Sequence, residues 1–176
     1  TYGQEIAHVG LLKAAEITVS KYCPNEKVED IIDEWNSLAI EEYKCHIPLK
    51  DKALELIKLL SSQGVHIALA TANSKELYEP CLQRLNIAPY FEFVIDVNSC
   101  KDGKDSPEIY DIIAAKFNCR REETLIFEDM LRPMITAYNA GYNVVGVYDK
   151  NSTSDEQENK KYSHIYIHNF QEVIDL

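Results

Sequence analysis

No stretch of these 176 residues stays apolar for long enough to cross a bilayer, which excludes a membrane-spanning helix. The first residues also lack the charged and apolar regions of a secretory leader. Positive charge is scarce: 18 Lys and Arg stand against 29 Asp and Glu, for a net charge of -11. A surface so negative repels nucleic acid and anionic lipid, leaving small molecules or proteins as partners. The five cysteines, Cys23, Cys45, Cys81, Cys100 and Cys119, contain no C-x-x-C pair, and an odd number cannot be fully paired within the chain. Free thiols in a soluble chain point to a reducing, cytoplasmic setting. The five histidines, His8, His46, His66, His164 and His168, lack metal-ligand spacing and read as surface or hydrogen-bonded groups.

What is present is enough for one core and a small second lobe, since 45% of the residues are hydrophobic. Residues 1–46 read as helices only. In NEKVEDIIDEWNSLAIEEYK, Val28, Ile31, Ile32, Trp35, Leu38 and Ile40 fall near helical spacing, with Asn25 expected as the N-cap after Pro24 and Trp35 as the anchor of the helix. Pro48, in HIPLK, stops helices, and the lobe boundary is placed there.

Residues 47–176 alternate. DKALELIKLLSSQG reads as a helix stopped by Gly64, VHIALAT as a buried parallel strand, and SKELYEPCLQRLN as a helix that Pro80 must kink or divide. FEFVIDV is a strand, SPEIYDIIAAKFN a helix with Pro107 in its first turn, TLIFED a strand, and LRPMITAYNAG a helix ended by Gly141. NVVGVYD is a strand, SDEQENKKY a polar helix or loop, HIYIH a short strand and FQEVIDL a last helix. Such alternation implies an α/β fold: a mostly parallel sheet covered by helices on both faces, beside a small α-helical lobe.

Ligands of such sheets sit at the carboxyl ends of the strands, and polar groups there carry the functional expectation. Thr71 ends VHIALAT and is followed by Ala72, Asn73 and Ser74, where a hydroxyl and helix-start N–H groups can hold a phosphate. Alone, this stretch reads equally as a helix cap by Asn73 or Ser74. Lys104 precedes the Pro107 helix and can reach a phosphate at the same rim, although most lysines are simply solvated. Glu128 and Asp129 end TLIFED and offer the hard oxygens that Mg²⁺ takes together with phosphate and water. By themselves they can also be a solvated turn.

In the order LATANSKEL, GKDSPEIY, LIFEDMLRPMITAYNAGYNVVGV, the sequence resembles the haloacid dehalogenase superfamily, in its branch of phosphatases and β-phosphoglucomutase-like enzymes. The resemblance implies a Rossmann-like core and makes residues 1–46 part of an inserted helical cap. It implies that Thr71 hydrogen-bonds the transferring phosphoryl group, that Lys104 neutralises nucleophile and phosphate, and that Asp129 binds Mg²⁺ with Glu128 assisting directly or through water. Met130 and Pro133 depart from the pattern, standing where a small residue and Gly are common.

A larger departure concerns the nucleophile. The family uses the first Asp of a D-x-D motif on a central strand, and no D-x-D occurs in these 176 residues. The resemblance therefore places the nucleophile upstream of residue 1, leaves this stretch inactive by itself, and leaves a slot in the sheet. The implied function is a Mg²⁺-dependent phosphatase that hydrolyses a small, sugar-phosphate-like monoester through an aspartyl-phosphate, as a monomer or weak homo-oligomer. Alternatives are a β-phosphoglucomutase-like mutase and a non-catalytic relative that binds phosphate and Mg²⁺. The mutases grip a second phosphate with a cap arginine, and Thr1 to Cys45 contains no Arg, only Lys13, Lys21, Lys27 and Lys44. This favours hydrolysis.

Overall fold

A computed structural model describes residues 2–6, 9–100, 106–150 and 156–176. The chain divides into two compact units, Thr1–Ile47 and Pro48–Leu176.

The first unit is helical. It contains α1 (Tyr2–Ile6), α2 (Leu11–Lys21) and α3 (Val28–Cys45). Ala14, Ala15 and Thr18 of α2 and Ile31 of α3 are its buried residues. The small alanines let α2 and α3 approach closely, and Thr18 satisfies its buried hydroxyl by donating to the Ala14 carbonyl at 2.8 Å. The tyrosine rings of Tyr2 and Tyr22 meet edge to face at 5.0 Å. Asn25 is not the cap of α3. The chain turns through Pro24 and Asn25, and Lys27, in extended geometry, holds the N-cap position. The apolar spacing also overstates burial, because Leu38 and Ile40 are 56% and 42% exposed.

The second unit carries α4 (Ala53–Ser62), β1 (Ala68–Thr71), α5 (Lys75–Arg84), β2 (Phe93–Asp96), α6 (Glu108–Phe117) and β3 (Leu125–Glu128). It continues through α7 (Leu131–Asn139), β4 (Asn143–Val147), α8 (Glu156–Lys161), β5 (Ile165–Ile167) and α9 (Gln171–Ile174). Helix α4 ends where Gly64 adopts φ +74°, a left-handed conformation that costs glycine little. Helix α5 runs through Pro80 without being divided. Its first turn supplies the carbonyl that a proline leaves unpaired, and α5 is held instead by the buried Cys81 and Leu82.

All strand pairs are parallel. The described strands form two sheets, β1 with β2, and β3, β4, β5 in that order. Among the described residues, β1 and β3 therefore each have one strand partner. Their exposure matches: all four residues of β1 are half-buried, and Leu125 of β3 is 49% exposed, whereas Val144, Val145 and Val147 of the central β4 are buried.

Alternation along β4 builds a core on each face. Val144 packs with Ile126, Ile109, Tyr110 and Ala114 of α6, and Met134 and Ala137 of α7. Val145 and Val147 pack with Ile167 against Phe127, Phe170 and Val173 on the opposite face. Gly146 is the exception in that strand: a Cβ there would meet a Tyr166 ring carbon at 2.6 Å and the Ser163 Cβ at 3.1 Å. Only glycine lets β5 and the turn before it approach so closely.

Candidate functional site

Parallel strands in one sheet point their carboxyl ends to one rim, and the loops leaving β3 and β4 carry carboxylates there. Asp129 follows β3, and Asp149 lies just beyond β4. The two meet across a single ammonium: Lys50 lies 2.5 Å from the Oδ2 of Asp149 and 3.2 Å from the Oδ2 of Asp129. Burial lowers the pKa of Lys50, but the hydrogen bond to Asp149 and the charge of Asp129 outweigh it, and the net direction is upward. With its side chain 40% exposed, Lys50 can still swing into solvent.

Glu128 sits differently. Its Oε1 accepts the backbone N–H groups of Asp129 and Met130, both at 3.0 Å, so one oxygen ties down the turn between β3 and α7. Oε1 of Glu128 thus shapes the loop, while Asp129 faces the Lys50 ammonium. Pro133 and Met134, one turn into α7, are buried and fix where that loop ends.

Thr71 ends β1, opposite Asp96 in the ladder. Its Oγ1 accepts the Asn73 N–H at 3.1 Å, closing a tight turn through the exposed Ala72. Ser74 then holds the N-cap position of α5 in extended geometry, without a side-chain capping bond. Thr71 thus orders the turn that leads into the Ser74 N-cap. Lys104 lies outside the described residues.

The structure brings Asp129 together with two residues that the sequence alone did not single out, Lys50 and Asp149. Asp149 carried the same signal as Asp129, an acid closing an apolar strand. Lys50 gave none, because its pairing joins the connector before α4 to two distant loops. Beside this cluster is a cavity of about 250 Å³, lined by Lys50, Asp149, Lys150, Tyr148, His168 and Phe170 among others. Tyr148 and His168 stack in its wall, with ring centres 5.2 Å apart.

The donor set suits Mg²⁺. Asp129 and Asp149 offer only oxygen, are partly open to solvent, and already focus on one positive charge, as an ion held by carboxylates and water requires.

The chain has relatives of known sequence and structure. The family model of haloacid dehalogenase-like hydrolases matches residues 5–147. A phosphorylated carbohydrates phosphatase from Thermotoga maritima is 32% identical over 131 residues, covering 74% of this chain and 57% of the relative. A pyrophosphatase from Bacillus mycoides is 23% identical over 121 residues, covering 69% of this chain and 56% of the relative. The chain thus spans little more than half the length of these two curated relatives. In fold, it superposes on a β-phosphoglucomutase from Clostridium difficile with a TM-score of 0.70 at 20% identity, covering 99% of this chain and 79% of that one. A hydrolase from Entamoeba histolytica gives 0.76 at 21% identity, covering 97% and 77%.

Proposed function

Because the chain belongs to the haloacid dehalogenase-like hydrolases, we propose that it carries the phosphate and metal half of a Mg²⁺-dependent phosphatase for small phosphate monoesters. The observation that carries this reading is the pair Asp129 and Asp149 converging on one cation at the strand ends. Support for a phosphate ester of sugar type comes from the Thermotoga maritima relative, described as a phosphatase of phosphorylated carbohydrates.

In this reading Asp129 holds Mg²⁺, with Asp149 beside it and Glu128 assisting directly or through water. The bound ion supplies positive charge against the phosphoryl oxygens. Thr71 donates its hydroxyl hydrogen to one phosphoryl oxygen, a proton left unused when Oγ1 accepts from Asn73. The first N–H groups of α5 face the same oxygens. Lys104 adds an ammonium that neutralises nucleophile and phosphate. The nucleophile is an aspartate outside these residues; it attacks phosphorus as the P–O bond to the alcohol breaks and the alcohol leaves, and water then hydrolyses the aspartyl-phosphate to inorganic phosphate and the free aspartate. The helical unit belongs to the cap, the substrate is a small phosphorylated metabolite, and the lack of Arg in Thr1 to Cys45 favours hydrolysis over mutase chemistry. The protein works in the cytoplasm as a monomer or weak homo-oligomer.

Calorimetric titration with Mg²⁺ tests the carrying observation. Asp129→Asn is expected to remove the binding, and an isotherm unchanged by that substitution would refute the assignment.

A further inference from the structure

A second group of metal-ligating side chains lies within the helical unit. Glu41, Cys45 and His46 each offer one ligand atom, and these atoms lie within 4.8 Å of one another. Residues 41 and 45 are one turn apart on α3 and share a face. His46 follows as the C-cap, with φ -122° and ψ -39°, where leaving the helix swings its ring beside the Cys45 thiol. The turn is held from behind, since the N–H groups of His46 and Ile47 both bond the Glu42 carbonyl, at 2.8 and 3.0 Å.

We propose that Glu41, Cys45 and His46 form a surface site for a zinc-class divalent cation, with three protein ligands and the fourth position open to water. The donor chemistry selects the ion. A thiolate and an imidazole favour zinc or cobalt, whereas Mg²⁺ and Ca²⁺ require oxygen. The site is therefore chemically distinct from the all-oxygen pair at Asp129 and Asp149.

Size and field also agree. Tetrahedral bonds of about 2.0–2.3 Å set ligand atoms roughly 3.3–3.8 Å apart. All three side chains are exposed, so small rotamer changes close the remaining gap. The carboxyl end of an 18-residue helix carries a partial negative charge that draws a cation. Glu29, Asp30, Asp33, Glu34, Glu41 and Glu42 make α3 acidic, and Lys44 is its one basic residue. On binding, the thiol of Cys45 gives its proton to solvent and its sulfur lone pair to the metal.

Titration of the chain with Co²⁺ in excess Mg²⁺ tests this. The expected result is one equivalent bound with a thiolate-to-cobalt charge-transfer band, bleached when Zn²⁺ displaces the cobalt. Cys45→Ser abolishes the band and His46→Ala weakens binding, while Cys119→Ser leaves both intact. Because these ligands are exposed, circular dichroism of the Cys45 and His46 variants should match the parent. Absence of a band, a band that survives Cys45→Ser, or unchanged affinity in His46→Ala would overturn the proposal.

Discussion

Lys50 sets its ammonium 3.2 Å from the Oδ2 of Asp129 and also bonds Asp149. A lysine thus stands where a divalent ion would stand, and it must yield when the ion binds.

Removing that ammonium should tighten metal binding. An exposed pair of this kind is worth about 0.2–1 kcal/mol, so Lys50→Met is expected to raise Mn²⁺ or Mg²⁺ affinity roughly 1.4- to fivefold. Calorimetry on parent and variant decides. Weaker binding by the variant would mean that Lys50 supports the ion instead of competing with it.

Gly146 admits the Tyr166 ring against β4. Gly146→Ala is expected to cost about 1–3 kcal/mol by overpacking, read as a lower urea midpoint with an unchanged m-value. Parent-like stability would show that Tyr166 and Ser163 move aside freely.

Tyr142 is 1% exposed and donates its Oη hydrogen to Asp111 Oδ1 at 2.6 Å. Arg121 donates to both oxygens of Asp111, from Nε to the same Oδ1 at 2.8 Å and from a terminal nitrogen to Oδ2 at 2.7 Å. Tyr142→Phe should therefore cost only about 1 kcal/mol, since Asp111 keeps its stronger partner.

The same tyrosine sets an alkaline limit. Burial raises the pKa of Tyr142, and its bond to Asp111 raises it further; burial does the same to Tyr110. In the unfolded chain both ionise near pH 10, so the folded state then holds more protons and stability falls as pH rises beyond that point. The stabilising contribution is complete below pH about 10. Urea denaturation from neutral to alkaline pH should show Tyr142→Phe losing less stability over the climb than the parent. Equal losses would contradict the assignment.

Much of the fold was legible because alternation and punctuation act locally. Gly64 and Gly141 end helices with φ +74° and +89°, and the apolar runs became parallel strands. Asn25 misled because Pro24 starts a turn that delays the helix to Val28. Pro80 does not divide α5, because packing of Cys81 and Leu82 outweighs one lost helical bond. The strand-end rule placed Thr71, Glu128 and Asp129 at the ends of β1 and β3, where the structure has them. It could not find Lys50, whose partners Asp129 and Asp149 lie far away in sequence. His46 was read as a plain surface group, since a helical spacing of five to Glu41 and one to Cys45 shows its convergence only once the helix end is built.

The most direct measurement is hydrolysis of a panel of sugar phosphates by the full-length protein, with Mg²⁺ and with chelator, for parent and Asp129→Asn. The account predicts turnover that requires Mg²⁺ and is abolished by the substitution. Turnover that persists in the chelator, or in Asp129→Asn, would contradict it.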